Sequence, residues 1–136
     1  MKRFLLPVVL SCLVSLGYGQ SLKKVNKYLD SKDYTNAKSE VDAYLEKKPD
    51  DGEAIYLKSK IYAKIADSAA LRSLVKGDAR AEAFEAFKKA VADSNNMKLK
   101  LLIMKDNYQP VFDMYTGYYQ AAVDDFNQAA STGNKD

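Results

Sequence analysis

The chain has no histidine, no tryptophan and one cysteine, Cys12. Histidine is the commonest general base near neutral pH, and histidine and cysteine together supply most zinc ligands and thiolate nucleophiles. Their scarcity argues against an enzyme, and neither a metal nor another cofactor is expected. A charge excess of one sign is missing too. The 21 Lys+Arg nearly balance the 18 Asp+Glu, so the chain lacks the basic surplus that displaces counterions from phosphates, and no nucleic-acid partner is expected.

Long apolar runs are absent except at the start. Lys2 and Arg3 precede "FLLPVVLSCLVSL" (Phe4 to Leu16), and Gly17-Tyr18-Gly19 places small residues where a signal peptidase reads them. Residues 1–19 are therefore expected to be a signal peptide cut after Gly19, since the run falls short of the roughly 20 residues of a bilayer span. "VLSC" (Val9 to Cys12) loosely resembles a lipoprotein box, but Leu13, Val14 and Leu16 continue the apolar stretch where polar linker normally follows a lipidated Cys. Removing residues 1–19 takes two of the 21 basic residues, none of the acidic ones and the only cysteine, leaving residues 20–136 with a net charge of +1. An oxidising compartment then finds no thiol to pair. The expected location is outside the cytoplasm, in the periplasm or cell envelope of a bacterium, with membrane attachment compatible but not required.

The rest is helical in pattern. In "KDYTNAKSEVDAYLEKKPDD" (Lys32 to Asp51), Tyr34, Ala37, Val41 and Tyr44/Leu45 recur at spacings of three and four and share one helix face. Asp33 suits the N-cap, Lys47 and Lys48 the negative end of the dipole, and Pro49 the stop. Before it, "SLKKVNKYLDSK" (Ser21 to Lys32) lines up Leu22, Val25, Tyr28 and Leu29. The short link around Ser31–Asp33 makes the two helices antiparallel neighbours, with Ala37 small enough to let the backbones approach.

The hairpin recurs. Tyr28 and Tyr62 lie 34 residues apart, and a second unit reads "GEAIYLKSKIYAKI" (Gly52 to Ile65), a Gly77-Asp78 turn, and "KGDARAEAFEAFKKAVAD" (Lys76 to Asp93). Ala83, Phe87 and Ala90 match Ala37, Val41 and Tyr44. With its 34-residue period, its A-x-x-x-F-x-x-A pattern and small Ser59, the pair of units resembles the tetratricopeptide repeat family. The resemblance implies an all-α fold of antiparallel hairpins stacked as a short right-handed solenoid, with units over about 21–49, 52–95 and a partial 97–136. One departure is "ADSAALRSLV" (Ala66 to Val75), an insertion expected to add about three helical turns, so that the first helix of unit two projects beyond the stack or breaks near Asp67-Ser68.

In the partial unit, "MKLKLLIMK" (Met97 to Lys105) is expected to be a short helix, with Asn107 or Gln109 capping a long one over Val111 to Ala130 and Pro110 in its first turn. "GYYQAAVDDFNQA" (Gly117 to Ala129) fits either a second or a first helix of the pattern. The first-helix reading is preferred because "NKD" (Asn134 to Asp136) repeats the turn chemistry of "SKD" (Ser31 to Asp33). Tyr118, Ala122, Val123 and Phe126 would then lack half their burial, as in the leading piece of a longer repeat protein.

What the resemblance implies about function is an exported scaffold that holds a partner protein or peptide in its concave groove. Family register places Asn26, Tyr56, Lys60, Tyr119 and Asn127 there. Leu22 stands where a basic residue is expected for gripping a C-terminal carboxylate, so chaperone-tail recognition is not implied. The alternatives are a glycan- or peptidoglycan-associated envelope component, with Tyr56, Tyr118 and Tyr119 stacking on sugars, and an accessory region of a longer protein. Asp50-Asp51 and Asp124-Asp125 read as caps and exposed helix face rather than metal ligands. The oligomeric state is left open.

Overall fold

The computed structural model describes residues 22–93 and 95–133. The signal-peptide expectation over residues 1–19, Cys12, and the turn assigned to Asn134–Asp136 lie outside the described residues. Those described are all-helical, as the patterning predicts: α1 (Leu22–Asp30), α2 (Tyr34–Lys47), α3 (Gly52–Asp67), a 3-10 turn (Arg72–Leu74), α4 (Ala79–Ala92), α5 (Met97–Lys105) and α6 (Gln109–Thr132).

Four of the helices start at side-chain caps. Asp33, Asp51, Asp78 and Asn96 accept from the backbone N–H of Asn36, Ala54, Arg80 with Ala81, and Leu99 at 2.8–3.2 Å. Each satisfies first-turn donors that no helical carbonyl can reach. The α1–α2 link closes by the Asp33 N–H donating to Tyr28 O and the Lys32 N–H to Leu29 O, with Lys32 in the left-handed region at φ 58°. That wrap reverses the chain within three residues.

α3 is the centre. Ala54, Ile55, Tyr56, Leu57, Ser59, Ile61, Tyr62, Ala63, Ile65 and Ala66 are all buried along it. α2 packs on one side, α4 on another and α6 on a third, with α1 touching it more lightly. α4 runs antiparallel to α3: Gly52 faces Asp93 at one end, and Asp67 pairs with Arg80 at the other. Gly52 packs closely on α5: a Cβ there would lie 2.8 Å from Leu99 Cδ2, so that side chain would have to shift to admit one. Ala37 and Ala83 are wholly buried, the positions at which the spacing calls for a small residue between close backbones. Ser59, wholly buried, donates its hydroxyl back to Tyr56 O at 2.7 Å.

Two expectations are corrected. Ala66 to Val75 does not form three further helical turns. α3 stops at Asp67, Ser68 turns extended at φ −109°, ψ 113°, and one 3-10 turn follows. The physical cause is local: Arg72 Nε donates to Ala66 O at 2.9 Å, satisfying a carbonyl of α3's last turn, and Val75 folds into the core. The insertion thus caps α3 instead of extending it, and the break near Asp67-Ser68 is the alternative found. At the other site, α5 occupies Met97–Lys105 as expected, but neither Asn107 nor Gln109 caps α6. Asn107 and Tyr108 both adopt left-handed backbone at φ 50° and 55°, and the Tyr108 N–H donates to Ile103 O. The link is spent on closing α5, so α6 starts without a side-chain cap, with buried Pro110 in its first turn.

Replacing Ala37 or Ala83 with Leu forces a larger side chain into a filled contact, at an expected cost of about 1–3 kcal/mol in denaturant unfolding. Unchanged midpoints in both variants would contradict this packing.

Candidate functional site

Polar groups leaving α3 meet acids on the helices around it. Tyr62 donates to Asp42 of α2 at 2.8 Å, and Lys58 pairs with Glu82 of α4 at 3.7 Å. Tyr56 and Lys60 share Asp106, at 3.1 and 2.6 Å, and Lys64 pairs with Asp113 of α6 at 2.7 Å. Burial, followed by the neighbouring Asp106 and Asp42 carboxylates, holds the Tyr56 and Tyr62 phenols well above their ordinary 10.0. Tyr44 is raised as well, first by its hydrogen bond to Asp51.

This belt decides where the groove candidates stand. Tyr56 is fully buried, and Lys60 is held against Asp106 with its ammonium 5.9 Å from the Tyr56 ring centroid. The structure brings these two together at Asp106, a residue the sequence reading did not single out. Asn26 lies apart on the outer side of α1, donating to Leu22 O. Tyr119 and Asn127 lie elsewhere again, on the exposed outer part of α6. A hollow of about 200 Å³ between α1, α2, α3 and α6 is lined by Asp30, Tyr34, Lys60, Lys64, Pro110 and Asp113 among others, with Lys60 paired to Asp106 and Lys64 to Asp113. A wider groove of about 600 Å³ runs between α2, α3 and α4, lined by Leu45, Ile55, Lys58, Glu82 and Lys89 among others.

Among the described residues the most exposed large apolar side chains, Phe126 and Tyr115, are on α6. Pro110, Met114 and Gly117 face the body, and the Arg80 side chain fills the space a Cβ of Gly117 would take. From Tyr118 to Thr132, about 22 Å of helix, no residue of α6 is fully buried. On its open side Phe112, Tyr115, Tyr119 and Phe126 are 62–73% exposed. They fall, with Ala122 and Ala129, at alternating spacings of three and four, nearly opposite the face that packs. That periodicity was readable in the sequence, but a helix with apolar residues on two faces does not announce which one the body covers. Tyr118 is also exposed, with the Arg80 guanidinium 5.1 Å from its ring centroid.

Among the described residues no group of three or more acidic, His or Cys side chains is placed to hold a metal, and no helix is long and apolar enough to cross a membrane. Comparison of the chain with protein-family models, curated proteins and solved structures finds no match.

Because the folded state keeps the Tyr56 and Tyr62 protons that the unfolded chain loses above about pH 10, their contribution to stability is complete below that pH and declines as pH rises beyond it. Urea midpoints should drop between about pH 9 and 11, and the Y56F/Y62F double variant should drop less. Equal slopes for the two proteins would show that these phenols titrate as they do in the unfolded chain.

Proposed function

We propose that the chain is an exported interaction scaffold, built of tetratricopeptide-like hairpins, that holds another protein through the open face of α6 and the adjoining surface of α1 and α3. The observation that carries this reading is the uncovered row of Phe112, Tyr115, Tyr119 and Phe126 along one side of α6. Large exposed aromatics are what interfaces use as anchors. The repeat reading is supported by α1–α2 and α3–α4, successive helices that pack on each other with a buried alanine at the matching position, although only the first pair is joined by a short link.

The groove itself contributes less than the repeat register suggests. Lys60 and Lys64 already have carboxylate partners, so a ligand must compete with Asp106 and Asp113. A sugar-stacking role loses Tyr56, which is buried, and rests on Tyr118 and Tyr119. Catalysis has no candidate general base of histidine type anywhere in the chain.

A photocrosslinking residue at Tyr115 or Tyr119, introduced into the native protein in its own cells, should yield a discrete protein adduct, whereas one at exposed Lys47 on α2 should not. Crosslinks to no protein at either α6 position would remove the scaffold reading.

A further inference from the structure

We infer that the open face of α6 is covered by α6 of a second copy, the two helices pairing antiparallel. The inference rests on the interaction-scaffold reading and names its partner. Residues 112, 115, 119, 122, 126 and 129 keep the alternation of three and four that defines a coiled-coil seam, in which each residue meets one on the facing helix. An antiparallel alignment with its twofold axis between residues 120 and 121 sets Phe112 against Ala129, Tyr119 against Ala122, and Tyr115 against Phe126. Two of the three kinds of contact place a large side chain on a small one, so one surface complements itself, as a twofold interface requires. The packed residues Pro110, Met114 and Gly117 lie on the other side of the helix, and α3 and α4 need not move.

Charge selects the direction. Over residues 109–132, α6 carries Asp113, Asp124 and Asp125 and no Lys or Arg. Parallel pairing in register would bring Asp125 level with its own copy. The antiparallel alignment instead puts Asp125 of the second copy on the edge of the seam beside Tyr118, where Arg80 lies over the ring. Area also suffices. Aromatic side chains bury 150–250 Å² each, so the four at 62–73% exposure offer about 400–700 Å² per copy, before Tyr118 and the alanines, against about 800 Å² in a standard interface.

Sedimentation equilibrium of the native protein should show a monomer–dimer equilibrium, weakened at least about thirtyfold by Tyr119→Glu or Phe126→Glu, substitutions at exposed sites that leave helical circular dichroism unchanged. Mixing F112C with A129C protein under oxidation should give a disulfide-linked dimer, while neither variant alone links through its introduced cysteine. A protein monomeric at every concentration overturns the inference, as does each cysteine variant linking only to itself, which indicates parallel pairing. If the protein is monomeric yet the α6 crosslinker captures one different protein, self-pairing fails and the scaffold reading stands. If it captures none, both fail.

Discussion

Everything else in this protein depends on enclosing α3. Ten of its side chains from Ala54 to Ala66 are buried, which no single neighbour can achieve, because one helix covers only a stripe of another. α2, α4 and α6 each take a side, α5 closes over Gly52 at one end, and the 3-10 turn closes the other. In a chain of this size, with no cysteine in the described residues to staple it, that central burial is the main source of stability.

Enclosing a helix on several sides leaves its polar residues with nowhere to go but between neighbours. α3 answers with long side chains that reach acids outside it: Tyr62 to Asp42, Lys60 and Tyr56 to Asp106, Lys64 to Asp113. The pairs are partly exposed, so each is worth little in isolation. Their effect is on register: Asp106 fixes where α5 ends and Asp113 where α6 begins to run along α3. Two of these residues, Tyr56 and Lys60, stand at positions that repeat register assigns to a ligand, and their engagement shifts weight from the groove to α6.

The helices were legible because each carries its own instructions. Asp33, Asp51 and Asp78 mark starts, Pro49 marks a stop, and Ala37 and Ala83 mark close approach, all through local chemistry. What escaped the sequence depends on which of several possible contacts, near or far along the chain, the packed structure selects. The helix formers in Ala66 to Val75 favour continuation, yet the Arg72 side chain turning back on Ala66 and the burial of Val75 outweigh them. Asn107 reads as a cap, but it serves the end of α5 rather than the start of α6. Tyr56 looks like a groove residue by register, and only the position of Asp106, 50 residues away, shows why its hydroxyl turns inward. In α6 the apolar residues serve two faces, and the body's reach along the helix decides which of them is left open.

The most direct test of a molecule organised around α3, with the far part of α6 left over, is amide hydrogen exchange followed at several protein concentrations. Ile61 to Ile65 should exchange only through global unfolding at every concentration, while residues 119–132 exchange fast in dilute solution and slow as copies associate. Fast exchange in α3, or protection of the far part of α6 that equals the core and ignores concentration, would contradict the account.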